Sequence, residues 1–184
     1  MKGSVAFAVP VIDTPRLRLR GHCRDDLPRC LAMWSDPDVT RFIGVDPANE
    51  QRTWARLLGY VGHWALMGFG YWVIEQRDSG EFVGEVGLAD FKRETSPAMK
   101  GDPELGFALV PRFHGNGYAT ESAKAVLAWA DAQLACPRSV CLIDPQNAGS
   151  RRVVEKCGYE VFGEGTYAGR AVLFLARRSA AMAG

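Results

Sequence analysis

The run ELGFALVPRFHGNGYATESAKAVLAWADAQLA, Glu104 to Ala135, limits the possible folds more than any other part of the chain. Alternation puts Leu105, Phe107 and Leu109 on one face and Glu104, Gly106 and Ala108 on the other, the period of a strand. Pro111 ends it. Beyond the turn, Ala119, Ala123, Val126, Leu127, Ala130 and Leu134 line one side of a helix reaching about Ala135. Between them stand Gly115 and Gly117. A helix N-terminus leaves about four backbone N–H groups unpaired and carries partial positive charge, so it favours an anion. Two residues without Cβ permit positive φ and let an anion approach those amides. The segment reads as a strand that feeds a phosphate cradle.

The remaining pattern places this unit in a mixed sheet with helices. Leu17 and Leu19 alternate with Arg16, Arg18 and Arg20, a half-buried strand with an arginine stripe as its wet face. Asp25 or Asp26 followed by Pro28 starts a helix carrying Leu27, Leu31 and Trp34. Trp54, Leu57, Leu58, Val61 and Trp64 share one face of a helix over 49–66. Tyr71–Gln76 and Phe82–Ala89 are strands joined by a turn at Asp78-Ser79-Gly80. KRETSPAMKGDP, rich in breakers, is a surface loop. RSVCLI is a strand, NAGSRRVVEKCG a short helix whose Val153, Val154 and Cys157 face inward, and YEVFGEG with RAVLFLARR a terminal pair of strands. No repeat or linker interrupts the 184 residues, so one domain is expected, its core about 12–176. The fold class is α/β or α+β.

Composition narrows the partners. Lys and Arg number 22 against 21 acids, a formal charge of +1, so no global field points to nucleic acid or a membrane surface. Five cysteines without a C-x-x-C, and three scattered histidines, argue for reduced thiols in a cytoplasmic protein and against a zinc site. VAFAVPVI, broken by Pro10, is read as an N-terminal arm, and no stretch approaches the roughly 18 apolar residues of a membrane span.

Two familiar phosphate loops and a plain turn are weighed first for the glycine pair. A P-loop needs Lys-Ser/Thr after its last glycine, where Tyr118 and Ala119 stand. A dinucleotide fingerprint needs a third glycine and an acid about 20 residues on. A plain turn before a helix remains open on this stretch alone. Downstream, Pro145 bars a helix, Asn147 suits an N-cap, and Ser150 begins a short amphipathic helix. Taken together, DTPRLRLR, SDPDV, ELGFALVP, GNGYATES and NAGSRRVVEKCGY run in one order from about Ile12 to Leu175. In that order the chain resembles the GNAT acetyltransferase superfamily, and within it the branch of ribosomal-protein N-terminal acetyltransferases. The motifs are specific jointly rather than singly.

The resemblance implies a GNAT-type fold, a mixed and mostly antiparallel sheet flanked by helices, with acetyl-coenzyme A as cosubstrate. It implies that Arg112 opens the pyrophosphate loop and that backbone amides around His114, Gly115, Asn116, Gly117, Tyr118, Ala119 and Thr120 hold the pyrophosphate. His114 replaces a common aromatic and Asn116 a common lysine, which alters side-chain contacts and leaves both glycines. The strand backbone near Phe107 to Leu109 would bond pantetheine and polarise the acetyl carbonyl. Asn147 would meet the pantetheine arm, or act only as a cap.

Acetyl transfer needs a neutral amine, a held oxyanion and a protonated leaving thiolate, but neither a metal nor a covalent enzyme intermediate. Glu104 is the first candidate base, directly or through a water, with Glu85 and Asp90 as rivals. Ser150 is the candidate acid for the thiolate, and Glu121 suits a first-turn dipole partner. Trp34, Phe42, Trp54 and Trp64 are candidates for an acceptor pocket or for core, with Phe42 the best rim residue. Cys141 and Cys157 look like core. A protein N-terminal amine leads as acceptor, ahead of a polyamine, aminoglycoside or amino acid. The rival functions are a non-catalytic acyl-coenzyme A module and a nucleotide-binding scaffold, as monomer or homodimer.

Overall fold

The computed structural model describes residues 8–43, 48–99 and 101–179; Val5, Ala6 and Phe7 of the VAFAVPVI arm lie outside them. Strands β1 (Ile12–Asp13) and β2 (Leu17–Arg20) open the chain, followed by helices α1 (Leu27–Trp34), α2 (Pro37–Thr40) and α3 (Glu50–Met67). Then come β3 (Tyr71–Gln76), β4 (Phe82–Ala89), β5 (Glu104–Leu109), α4 (Tyr118–Gln133), β6 (Arg138–Ile143), α5 (Ala148–Lys156), β7 (Glu160–Tyr167) and β8 (Arg170–Arg178). The helix ends follow local chemistry. Asn49 Oδ1 accepts from Arg52 N at 2.9 Å to cap α3, which closes on left-handed Gly68.

The eight strands form one sheet in the order β1-β2-β3-β4-β5-β6-β8-β7. Every pairing is antiparallel except β5 with β6. One face carries α4 and α5, packed through Ala123, Val126, Leu127 and Val154 onto Leu17, Leu19, Ile74, Leu88, Leu105 and Leu109. Trp64, Trp72 and Trp129 meet edge to face in this core, with centroids 4.6 to 5.5 Å apart. On the other face α1 and α3 bring Cys30, Met33, Trp34 and Leu57 against Val73 and Ala108, and Tyr60 against Tyr71 and Ala89. Register carries this second face across three strands. Val73 pairs with Glu85 and Glu85 with Ala108, while Tyr71 pairs with Gly87 and Gly87 with Gly106.

The sequence reading of strands and helices therefore stands, with three corrections. First, α3 is turned. Thr53, Leu57, Tyr60 and Trp64 are buried while Trp54, Leu58 and Val61 are exposed, because Thr53 and Tyr60 bury apolar bodies that an apolar count overlooks. Second, Arg20 is not on a wet face. It forms two bonds to Asp26, which is fully buried, and one to Glu75 at 2.6 Å. Third, the breaker-rich loop before β5 is anchored, with Met99 buried and Arg93 bound to the sheet. Within the described residues no helix is long and apolar enough to cross a membrane.

Candidate active site

Strands β5 and β6 part almost as soon as they meet. Their ladder holds one registered pair, Glu104 with Val140, and Val140 N donates to Pro103 O at 3.0 Å. Along a strand, N–H and C=O groups alternate sides. Since Val110 N donates to Val83 O on β4, Phe107 and Leu109 turn their backbone groups the other way, into the opening. Among the described residues no strand pairs with that edge, although the Leu109 carbonyl accepts from His114 Nε2 at 2.9 Å. Crevices at the carboxyl ends of parallel strands are the usual ligand sites of α/β sheets. Here α4 and α5 both begin past that end.

The glycine turn has the geometry its sequence demands. Gly115 and Gly117 both have φ of +79°, in the left-handed region. Gly117 is the N-cap of α4 and no side chain caps it, while the first helical bond, Glu121 N to Gly117 O, leaves the amides of Tyr118, Ala119 and Thr120 without intrahelical partners. Arg16 braces the turn from behind. Its Nη1 donates to Asn116 O at 2.9 Å, and its guanidinium binds Glu121 at 2.6 Å and lies over the Tyr118 ring. Burial would raise the Glu121 carboxyl, but Thr14 and Arg16 outweigh it and hold it below its ordinary value. Arg112 is exposed and pairs with Glu81 at 2.7 Å, so its side chain is held toward the β3–β4 turn. On α5, Asn147 Oδ1 accepts from Ser150 N at 3.0 Å, the cap geometry, and the Ser150 hydroxyl has no hydrogen-bond partner among the described residues.

Glu104 sits at the closed end of the opening, on the α1/α3 face. It is buried rather than facing water, and Arg93 grips it with Nε at 2.7 Å and Nη2 at 3.0 Å. Arg93 in turn donates to Tyr167 Oη at 2.8 Å. Burial pushes the Glu104 carboxyl above its ordinary value, and Arg93 only partly opposes it. Asp90 is committed elsewhere, accepting from the Lys92 amide and ammonium.

Glu85 has the richest environment on this face. It is fully buried, accepting from Trp34 Nε1 at 2.9 Å and Tyr60 Oη at 3.3 Å, with His22 Nε2 at 3.2 Å. Burial alone would raise its carboxyl; His22, Cys30 and Trp34 prevail and lower it. His22 Nδ1 is buried without a partner. His22, Cys30 and Glu85 place their donor atoms within 4.8 Å of one another, the one group among the described residues with the makings of a metal site. Arg56, half-buried, stacks 3.8 Å over Trp34 beside it. Trp34 and Trp64 are core, Trp54 is exposed, and Phe42 is half-buried beneath Arg41. Sequence reasoning missed Arg93, His22, Tyr60 and Arg56. Their partners lie 11 to 63 positions away along the chain or across the face, so no local period marks them.

A parted parallel pair with an uncapped, glycine-led helix at its mouth is the frame of an acyl-coenzyme A transferase. The chain belongs to the GNAT acetyltransferases: the family's acetyltransferase (GNAT) domain matches residues 16–160. It is an enzyme of the acyltransferase class. Among curated proteins it is 32% identical over 154 residues to YkkB of Bacillus subtilis, an uncharacterised protein, across 79% of this chain and 82% of that one. It is 32% identical over 161 residues to the FsC-acetyl coenzyme A-N(2)-transacetylase of Aspergillus fumigatus, across 82% of this chain and 65% of that one. Among solved structures, a GnaT-family acetyltransferase from Bordetella pertussis superposes with a TM-score of 0.83 at 29% identity, covering 92% of this chain and 99% of that one. RimL, a ribosomal L7/L12 alpha-N-protein acetyltransferase solved with coenzyme A, shares the fold at 17% identity and a TM-score of 0.77, over 94% and 99%.

Proposed function

We propose that this enzyme transfers the acetyl group of acetyl-coenzyme A to a primary amine by direct attack, within one catalytic unit spanning about residues 12–176. The observation that carries the reading is the free inner edge of β5 opening onto the uncapped amides of α4. A pantetheine arm would lie along Phe107 and Leu109 and fill the place that β6 vacates. Its pyrophosphate would rest on the amides from Gly115 to Thr120, and Asn147 would flank the arm with its side-chain amide. Arg112 and His114 would contribute at the rim only after leaving Glu81 and the Leu109 carbonyl.

The amine nitrogen attacks the thioester carbon, a C–N bond forms, the C–S bond breaks, and the thiolate takes one proton to give free coenzyme A. An acceptor that arrives as an ammonium ion releases one further proton. Glu104 receives the amine's proton, directly or through a water, and Ser150 supplies the thiolate's. A carboxyl raised by burial is a better base near neutrality than an ordinary one.

The acceptor we favour is a protein N-terminal amine, on the motif order of the ribosomal-protein branch and the likeness to RimL. The A. fumigatus relative, named as an N(2)-transacetylase, supports a small-molecule amine as the second reading. Calorimetry with coenzyme A, followed by thiol release against N-terminal peptides, polyamines, aminoglycosides and amino acids, tests both. Binding without any turnover would favour a non-catalytic module, and preference for ATP or NAD over coenzyme A would overturn the reading.

A further inference from the structure

Tyr71 lies across the sheet toward the opening between β5 and β6. Its register row is Tyr71 on β3, Gly87 on β4 and Gly106 on β5. The two glycines leave a trough that the ring fills. A Cβ on Gly87 would come within 2.7 Å of Tyr71 Cγ, and one on Gly106 within 2.0 Å of the hydroxyl. The phenol root therefore rests on β4 and its oxygen on β5, beside Phe107 and two residues from Glu104. Tyr60 stacks on the ring at 4.5 Å and 10°, fixing its plane. The residue is 7% exposed, yet its hydroxyl makes no hydrogen bond among the described residues. The oxygen is not among the fully buried unpaired atoms, so it keeps a path out of the core, and it has been carried over two strands to a place where the described residues offer no partner.

Resting on the acetyl-transfer reading above, we propose that Tyr71 is a catalytic residue whose hydroxyl donates a hydrogen bond to the acetyl oxygen as it becomes an oxyanion. It supplements the backbone donors of β5 from the α1/α3 face. No proton leaves the phenol: burial, with Glu104 adding to it, pushes the phenol well above its ordinary value, so it stays a neutral donor. A donor fixed beforehand in a dry site pays little reorganisation when charge develops, and removing one costs about 10²- to 10³-fold in kcat.

Tyr71→Phe is the test, because it keeps the ring in its trough and removes an oxygen that bonds none of the described residues. The acceptor is whichever N-terminal peptide or polyamine turns over with the wild type. We expect kcat and kcat/KM to fall together by about 10²-fold or more, with the calorimetric Kd for coenzyme A and the melting temperature unchanged. Gly106→Ala, whose Cβ would displace the hydroxyl, should lose activity similarly while also losing stability, and Tyr71→Phe should relieve part of that instability. Turnover by Tyr71→Phe within twofold of wild type would overturn the proposal, and so would a rise in the acceptor's KM at unchanged kcat. Wild-type protein that acetylates none of the amines would instead defeat the acetyl-transfer reading, and this proposal with it.

Discussion

At the scale of the residue, Glu104 combines two opposed influences. Burial raises its proton affinity and the Arg93 fork lowers it, with burial ahead. A base must be unprotonated, so activity is lost as pH falls through that raised value. We expect the acid limb of the kcat/KM profile to lie above the ordinary carboxylate range. Replacing Arg93 with Met should move the limb to higher pH, because only the opposing influence is removed. Glu104→Gln should cost about 10²- to 10⁴-fold and flatten the limb, as pH–rate profiles of the variants would show. Glu104 was visible in the sequence as the single carboxylate on a bare strand face. Arg93 was not, since a lone cation in a polar loop looks the same whether it is solvated or folded back onto a strand.

At the scale of the element, local chemistry was legible and orientation was not. Strands β3, β4, β6 and β8 end where alternation and turn residues say they should, and the left-handed glycines sit where the turn requires them. The two-residue β1 and four-residue α2 were missed because such short pieces carry no period. The exposed stripe of Trp54, Leu58 and Val61 shows why the rotation of α3 was misjudged: which side faces the sheet is settled by shape on contact. The α4 turn gives a sharp expectation. Gly117→Ala would force a side chain into a left-handed conformation at the cost of about 1 to 2 kcal/mol, and coenzyme A affinity by calorimetry should fall more than tenfold. Asn147→Ala removes the α5 cap and should lower stability by about 1 kcal/mol in urea titration.

At the scale of the whole molecule, ion pairs tie the N-terminal strands to the rest. Burial would raise the Asp26 carboxyl, but Arg20 and the Cys23 amide outweigh it, so its folded value is lowered. A lowered carboxylate contributes stability above its unfolded value and loses it as pH falls through the folded one. Asp26→Asn should therefore cost about 2 kcal/mol near neutrality, roughly 4 to 8 °C in Tm, because it weakens two charge-assisted bonds while Arg20 keeps Glu75. The gap between wild type and variant should close on acidification, as urea midpoints across pH would report. None of this was legible, because alternation assigned Arg20 to the wet face and only the fold brings Asp26 and Glu75 to it. The topology was legible as a class, whereas the rows that align Tyr71 with two glycines exist only once registers are set. The parting of β5 from β6 has a further consequence. An unsatisfied strand edge on a protein's rim invites self-association, but this one is interior, walled by both halves of the sheet. A single extended chain with amides of its own would complete it, so on the proposed reading the fold turns a hazard of β-structure into a place for a slender, amide-bearing ligand.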